Sequence, residues 1–280
     1  MSKLILACEY QCHTKCLMSV SVVCTNSRNK ASRDTDVSSV ASETAALFGN
    51  DLSRQAELEG RPVPYIIIRC IEEVEANGMD FEGIYRKSGG ASSLRAIIDA
   101  FEAGGEVNFD HLGGSGDICA VTSALKQYLR TLPDPLLPFS AYDRFLQATI
   151  GSDHMLKVHK FRGVLESLPK VNYDVLSLLM LHLARYALPQ FLVDSRIVEK
   201  SDINLMHANN LAVVFSPTLM RDQTGARQIL DMNSTNQCVK FLIENATTLF
   251  TSGKPLLQSI EKSATNESIL GLSRIIDNRI

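Results

Sequence analysis

Apolar residues recur at helical spacing through most of this chain, and that periodicity limits the folds open to it. Ile67, Cys70, Ile71 and Val74 stand at i, i+3, i+4 and i+7 behind Pro62 and Pro64, and the stripe stops at Asn77-Gly78. Leu94, Ile97, Ile98 and Phe101 repeat the spacing and end at Gly104-Gly105. Asp117 stands where it can cap a third helix with the stripe Ile118, Val121, Leu125, Tyr128 and Leu129, closed by Pro133, Pro135 and Pro138. Tyr142, Phe145, Leu146 and Thr149 predict a fourth helix, and residues 156–168 a fifth. Residues 175–188 are apolar nearly all round, which predicts a central buried helix, and 205–214 and 238–249 supply further helices. No stretch alternates apolar and polar residues between regular turn signals, so the expected fold class is an all-α, multi-helix bundle.

The helical part runs from about Leu47 to Phe250, and 280 residues with 45% apolar content suffice for one well-sized core there. Residues 25–46 are rich in serine and charge, cannot bury enough apolar surface to order themselves, and are expected to be a flexible linker. Residues 251–280 form a tail with one amphipathic patch, 269–276, long enough for a short helix. A net charge of -3 gives no global basic field, which disfavours nucleic acid as the main partner. The run 175–188 carries Ser177, His182 and Arg185 and is too short and too polar to span a bilayer. The first seven residues lack the cleavage region of a signal peptide, and Cys70, Cys119 and Cys238 read as buried thiols of a reducing compartment, so the chain is expected to be cytoplasmic.

Chemistry-bearing residues fall in three segments. Gly83-Ile84-Tyr85-Arg86-Lys87-Ser88-Gly89-Gly90 sets an arginine on a glycine-bounded turn between two helices. Such a guanidinium is either a solvated loop charge or a fork held out toward charge developing on a phosphoryl group. Lys126 and Arg130, four apart, stack on one face of the third helix, either as a solvated flank or as a directed basic pair. Asn209 and Asn210 precede the apolar run 211–215, where an amide either bridges within the fold or reaches a ligand. Gly113-Gly114-Ser115-Gly116 lacks the lysine and hydroxyl of a phosphate-cradling loop, so the chain does not read as a nucleotide binder. His154 and His159 lack a metalloprotease glutamate, and His182 reads as a satisfied core histidine.

Three motifs, 83–89 (Gly-Ile-Tyr-Arg-Lys-Ser-Gly), 121–137 (Val-Thr-Ser-Ala-Leu-Lys-Gln-Tyr-Leu-Arg-Thr-Leu-Pro-Asp-Pro-Leu-Leu) and 210–219 (Asn-Leu-Ala-Val-Val-Phe-Ser-Pro-Thr-Leu), resemble in order and spacing the Rho GTPase-activating (RhoGAP) domain. The resemblance covers 47–250. It implies an all-helical fold and a GTPase-activating protein for GTP-bound Rho-family small GTPases, with Arg86 as an arginine finger entering the partner's active site. Lys126 and Arg130 resemble the family's basic pair facing the GTPase, the arginine largely structural. Pro135 and Asn210 resemble further residues of that docking surface. The chain would then not itself be an enzyme and would need no cofactor, because the partner brings magnesium and GTP. The alternative is a non-catalytic module or scaffold binding the same GTPases, for which retention of Arg86 would be unnecessary. A lipid-regulated adaptor is a third reading.

At the start, Cys8, His13, Cys16 and Cys24 resemble the closing half of a diacylglycerol/phorbol-ester-type zinc domain. Where that family has a further cysteine this chain has Ile5, and the opening half is absent, so residues 1–24 are an incomplete remnant. In that family Cys8 and Cys24 would serve one ion and His13 and Cys16 the other, leaving each with two of four ligands. A structural zinc site folds its domain only when complete, so no metal and an unfolded beginning are expected. The missing half suggests a truncated or alternative start. Membrane contact through this module is expected only of a longer form; otherwise recruitment would follow the GTPase partner.

Overall fold

The computed structural model describes residues 3–5, 11–13, 46–109, 117–187 and 203–250. They belong to two units, Met1–Thr44 and Ala45–Ile280. The described part of the first is a two-stranded antiparallel ladder, β1 (Lys3–Ile5) and β2 (Gln11–His13), with Lys3 opposite His13 and Ile5 opposite Gln11. The expected unfolded beginning is therefore corrected for these six residues, whose backbones pair as an antiparallel ladder. Cys8, Cys16 and Cys24, residues 25–45 of the expected linker and the 251–280 tail lie outside the described residues.

The second unit is all-α, with ten helices and one 3-10 turn among its described residues. Helix α1 (Leu52–Glu59) carried no clear apolar stripe, since only Leu52, Gln55 and Ala56 are buried, yet its ends are well marked. Asp51 accepts hydrogen bonds from the Ser53 and Arg54 amides, and Gly60, at φ 61°, closes the helix in the left-handed region that glycine enters freely. Helix α2 (Tyr65–Asn77) follows Pro64 and buries the predicted stripe, with Ile67, Cys70 and Val74 fully inaccessible. Fully burying an aliphatic side chain of this size stabilises by about 1.5–3 kcal/mol relative to exposure.

Helix α3 (Ala91–Glu102) and helix α4 (Ile118–Thr131) pack on each other, and α4 also packs on α2. The chain leaves α4 through the proline segment and a 3-10 turn (Phe139–Ala141) into α5 (Tyr142–Thr149) and α6 (His154–Leu165). Helix α7 (Lys170–Ala187) is the predicted central helix and contacts α1 and α2 together with α8 (Ala208–Leu219), α9 (Met232–Glu244) and α10 (Ala246–Phe250). Helix α7 starts five residues before the expected 175, α8 ends five residues after 214, and α9 starts six residues before 238. Helix α8 begins three residues later than expected, because Leu205 adopts φ 59° and Asn204 accepts a 2.9 Å bond from the Met206 amide, which turns the chain before the helix starts. The helix expected over 238–249 breaks at Asn245, so α9 and α10 are separate.

Candidate functional site

The loop between α2 and α3 is fixed at both ends. Gly83, at φ 73°, donates its N–H to the Asn204 carbonyl at 2.7 Å, and its own carbonyl accepts from the Arg86 and Lys87 amides at 3.0 and 2.9 Å. At the other end Gly89 packs onto the backbone of α4: an added Cβ would stand 2.2 Å from the Ala120 nitrogen, so only glycine fits. The Gly89 amide donates to Ser123 Oγ at 3.3 Å and the Gly90 amide to Asp117 Oδ2 at 2.7 Å, while the same carboxylate caps α4 through the Ala120 amide at 3.1 Å. One aspartate thus joins the loop to a helix N-terminus.

Between these anchors lies Tyr85, with φ 67°. For an L-residue the left-handed region costs roughly 1–2 kcal/mol, so the surroundings must hold it there. Its ring is fully buried, edge-on to Phe215 at 5.1 Å and to the His182 imidazole at 5.9 Å. Its hydroxyl lies 2.6 Å from His182 Nε2, and His182 Nδ1 lies 2.8 Å from Glu75 Oε1. Its carbonyl accepts a hydrogen bond from Lys126 Nζ.

Arg86 comes next and is exposed, its guanidinium lying over the bare face of Gly83. Among the described residues no carboxylate pairs with it. Of the basic pair on α4, Lys126 is half-buried, and burial, followed by the Arg130 charge, lowers its pKa from the ordinary lysine range. Arg130 donates to Thr218 Oγ1 at 3.3 Å and so links α4 to α8. Asn210 sits exposed in the first turn of α8 and donates to the Leu205 carbonyl at 3.1 Å, the bridge within the fold that its position allowed. Pro135, which the resemblance gave to the same docking surface, is buried together with residues 136–138. Down α8 from Asn210, Val213 and Pro217 are exposed at helical spacing, an apolar continuation of the face that Arg130 adjoins.

Two supporting residues were not singled out from the sequence. Asn204 donates to the Met79 carbonyl at 3.0 Å and receives Gly83 through its own carbonyl. Arg221 donates to the Arg130, Leu132 and Pro133 carbonyls and stacks over Phe139 at 5.5 Å, satisfying the acceptors left open at the end of α4. Only the position of Arg221 just beyond the 210–219 motif hinted at it. His182, read as a satisfied core histidine, is buried and bonded at both nitrogens.

Arg86, Lys126, Arg130 and Asn210 thus lie on or beside one surface formed by the loop, α4 and α8. Two depressions among the described residues, of about 290 and 390 Å³, are lined by other residues, Lys157, Lys240 and Glu244 among them in the first and Arg69, Glu73 and Glu106 in the second. Among the described residues no three His, Cys, Asp or Glu side chains are grouped to hold a metal ion, and His13 is described in its backbone alone. No helix among them is long and apolar enough to cross a membrane. An exposed guanidinium outside both depressions suits a macromolecular partner better than a small substrate enclosed in either of them.

A family profile described as "RhoGAP domain" matches residues 64–224. The probable Rho-type GTPase-activating protein 4 of Schizosaccharomyces pombe is 40% identical over 188 residues, covering 67% of this chain and 18% of that protein. The probable Rho-type GTPase-activating protein 3 of the same organism is 29% identical over 248 residues, covering 85% and 24%. The chain therefore spans about a quarter or less of the length of these curated relatives. Among solved structures, human Rho GTPase activating protein 15 superimposes with a TM-score of 0.65 at 31% identity, over 73% of this chain and 92% of that one.

Proposed function

This chain belongs to the RhoGAP domain family, and from that premise we propose that it is a GTPase-activating protein for Rho-family small GTPases in their GTP-bound form, with Arg86 as its arginine finger. The observation that carries this reading is the contrast at residues 85 and 86. Tyr85 is held at ring, hydroxyl and carbonyl, whereas the next side chain is exposed and has no carboxylate partner among the described residues.

The chemistry follows from where charge accumulates. As the bond to the γ-phosphoryl group breaks, negative charge builds on the bridging and equatorial oxygens. A guanidinium presented there, with water excluded by the docked surfaces, stabilises that charge more than it stabilises the ground state. An arginine supplied in trans is worth on the order of 10³ to 10⁵ in rate, or roughly 4 to 7 kcal/mol of barrier. The partner GTPase contributes nucleotide, magnesium and attacking water, so the hydrolysis belongs to the partner and this chain supplies one group. Lys126 and Arg130 support the surface, the half-buried Lys126 by holding the loop and the exposed Arg130 by linking α4 to α8. Asn210, with Val213 and Pro217 beyond it, offers the exposed contact area on α8.

The test is single-turnover GTP hydrolysis by a panel of Rho-family GTPases, each with the wild-type chain and with Arg86→Ala. Acceleration that the variant loses supports the activator and names its partner. GTP-dependent binding without acceleration would replace this reading with that of a scaffold.

A further inference from the structure

We propose that Tyr85, His182 and Glu75 form a positioning device for Arg86, an inference that rests on the reading of Arg86 as the finger. The device starts on α2, where Glu75 Oε1 lies 2.8 Å from His182 Nδ1, crosses the imidazole, and ends at the Tyr85 hydroxyl 2.6 Å from Nε2. An ionised carboxylate can only accept, so Nδ1 carries a proton; with the ring neutral, Nε2 accepts from the tyrosine O–H. The chain of bonds thus runs from a helix α2 carboxylate through the α7 imidazole to the loop hydroxyl. His182 is 1% exposed and Tyr85 fully buried, so water does not compete for the bond between them, whereas Glu75 reaches the ring from a partly exposed position.

The loop needs such a device because of its backbone. Tyr85 stands at φ 67°, and relaxation to the ordinary negative range would rotate the peptide that joins it to Arg86 and swing the guanidinium away. Ring burial against Phe215 resists this only loosely, since an edge-on contact at 5.1 Å tolerates sliding. The hydroxyl bond fixes how deep the ring sits, and the Lys126 bond fixes the carbonyl at the other end of the residue. Together they clamp the residue before the finger to two core helices, α2 and α7, and to α4. A preorganised finger spends less of its binding in ordering the loop when the transition state forms. The three are positioning residues: they act through Arg86 and do not touch the nucleotide.

The experiment uses Tyr85→Phe, which keeps the ring and removes the hydroxyl. Its single-turnover rate at saturating concentration, with the Rho-family GTPase that responds best to the wild-type chain, is expected to fall about tenfold. Its affinity for that GTPase loaded with a non-hydrolysable GTP analogue should stay within about twofold, because ground-state docking does not require the finger to be aimed. Adding Tyr85→Phe to Arg86→Ala should bring no further loss, since there is no longer a guanidinium to position. A Tyr85→Phe rate equal to wild type, the same loss in the Arg86→Ala background, or a matching loss of affinity would each overturn the device. Arg86→Ala alone tests the finger itself: an undiminished rate there sinks the proposed function, whereas a loss there with none in Tyr85→Phe sinks only this inference. If Tyr85→Phe lowers the thermal midpoint, Glu75→Met, which removes the acceptor at the outer end of the chain, reads the same way. A rate loss without loss of affinity supports the device, and an unchanged rate overturns it.

Discussion

Lys126, on α4, donates a hydrogen bond to the carbonyl of Tyr85, forty-one residues earlier in the chain and immediately before Arg86. The lysine is half-buried, and burial lowers its pKa below 10.5. A lysine whose folded pKa is depressed destabilises the fold wherever it must be charged. The unfolded chain binds its proton more readily, so stability rises with pH from the folded pKa up to the unfolded one. Lys126→Met keeps the stem and removes the charge. At pH 7 its thermal midpoint is expected to match or exceed that of the wild type, while affinity for the GTP-bound GTPase and stimulated hydrolysis both fall. Between neutrality and pH 10 the wild type should gain on the variant. A midpoint well below wild type at pH 7 would show that the carbonyl bond outweighs the cost of burying the ammonium.

Gly89 sets the spacing between the loop and α4. A methyl group there would meet the Ala120 nitrogen at 2.2 Å and its Cα at 2.4 Å, and neither backbone atom can move without shifting the first turn of α4. Gly89→Ala is expected to lower stability by about 1–3 kcal/mol, in the range of overpacked sites. It should also reduce stimulated hydrolysis by displacing the loop that carries Arg86. Gly104→Ala is a useful contrast: its added Cβ would meet nothing within 4 Å, although its φ of 73° still strains alanine. Chemical denaturation of both variants checks this, and a smaller loss for Gly89→Ala than for Gly104→Ala would contradict it.

The stripe Ile67, Cys70, Ile71 and Val74 was legible because burial of one helix face imposes that spacing, and α2 lies where the stripe placed it. Asp117 was legible for the same local reason, as a cap. Its second bond, to Gly90, was not, since it joins elements twenty-seven residues apart. Helix α1 escaped because eight residues with three buried ones give too little periodicity. The start of α8 was misplaced because Leu205 takes a left-handed conformation, with its carbonyl held by a local bond from Asn210 that the apolar spacing does not register. At the site, Arg86 was conspicuous through its flanking glycines. The bonds around Tyr85 depend on His182 and Glu75, about a hundred residues apart, and no local pattern carries them. The burial of Pro135 is set by the apolar Leu136 and Leu137 beside it, which are fully inaccessible.

Burial also decides the reactivity of the thiols. Cys70 and Cys238 are fully inaccessible, and burial pushes both well above the usual thiol range; burial and then the Asp117 carboxylate raise Cys119. The thiolate is the reactive form, so at pH 8 these three should resist alkylation in the native protein and react once it is unfolded in urea. Peptide mass spectrometry after timed iodoacetamide treatment resolves each site. Labelling of Cys70 or Cys238 at the rate of a free thiol under native conditions would show that α2 or α9 opens far more often than this packing allows.

Arg86 is exposed and lies beside the left-handed Gly83, so its removal should leave the fold intact. Arg86→Ala is expected to keep the thermal midpoint of the wild type within a degree or two, on the order of what neutral surface substitutions give. It should also bind the GTP-bound partner within a few-fold, yet lose about 10³-fold or more in stimulated hydrolysis. Arg86→Lys separates charge from geometry. An ammonium restores the charge but not the planar fork, which can bridge two phosphoryl oxygens at once, so most of the loss should persist. The pair is read by single-turnover rates beside equilibrium binding. A lysine variant that recovers near wild-type rate would mean that the position contributes only a diffuse positive charge. Equal loss of rate and affinity in Arg86→Ala would mean that the residue docks the partner and does not act in the transition state.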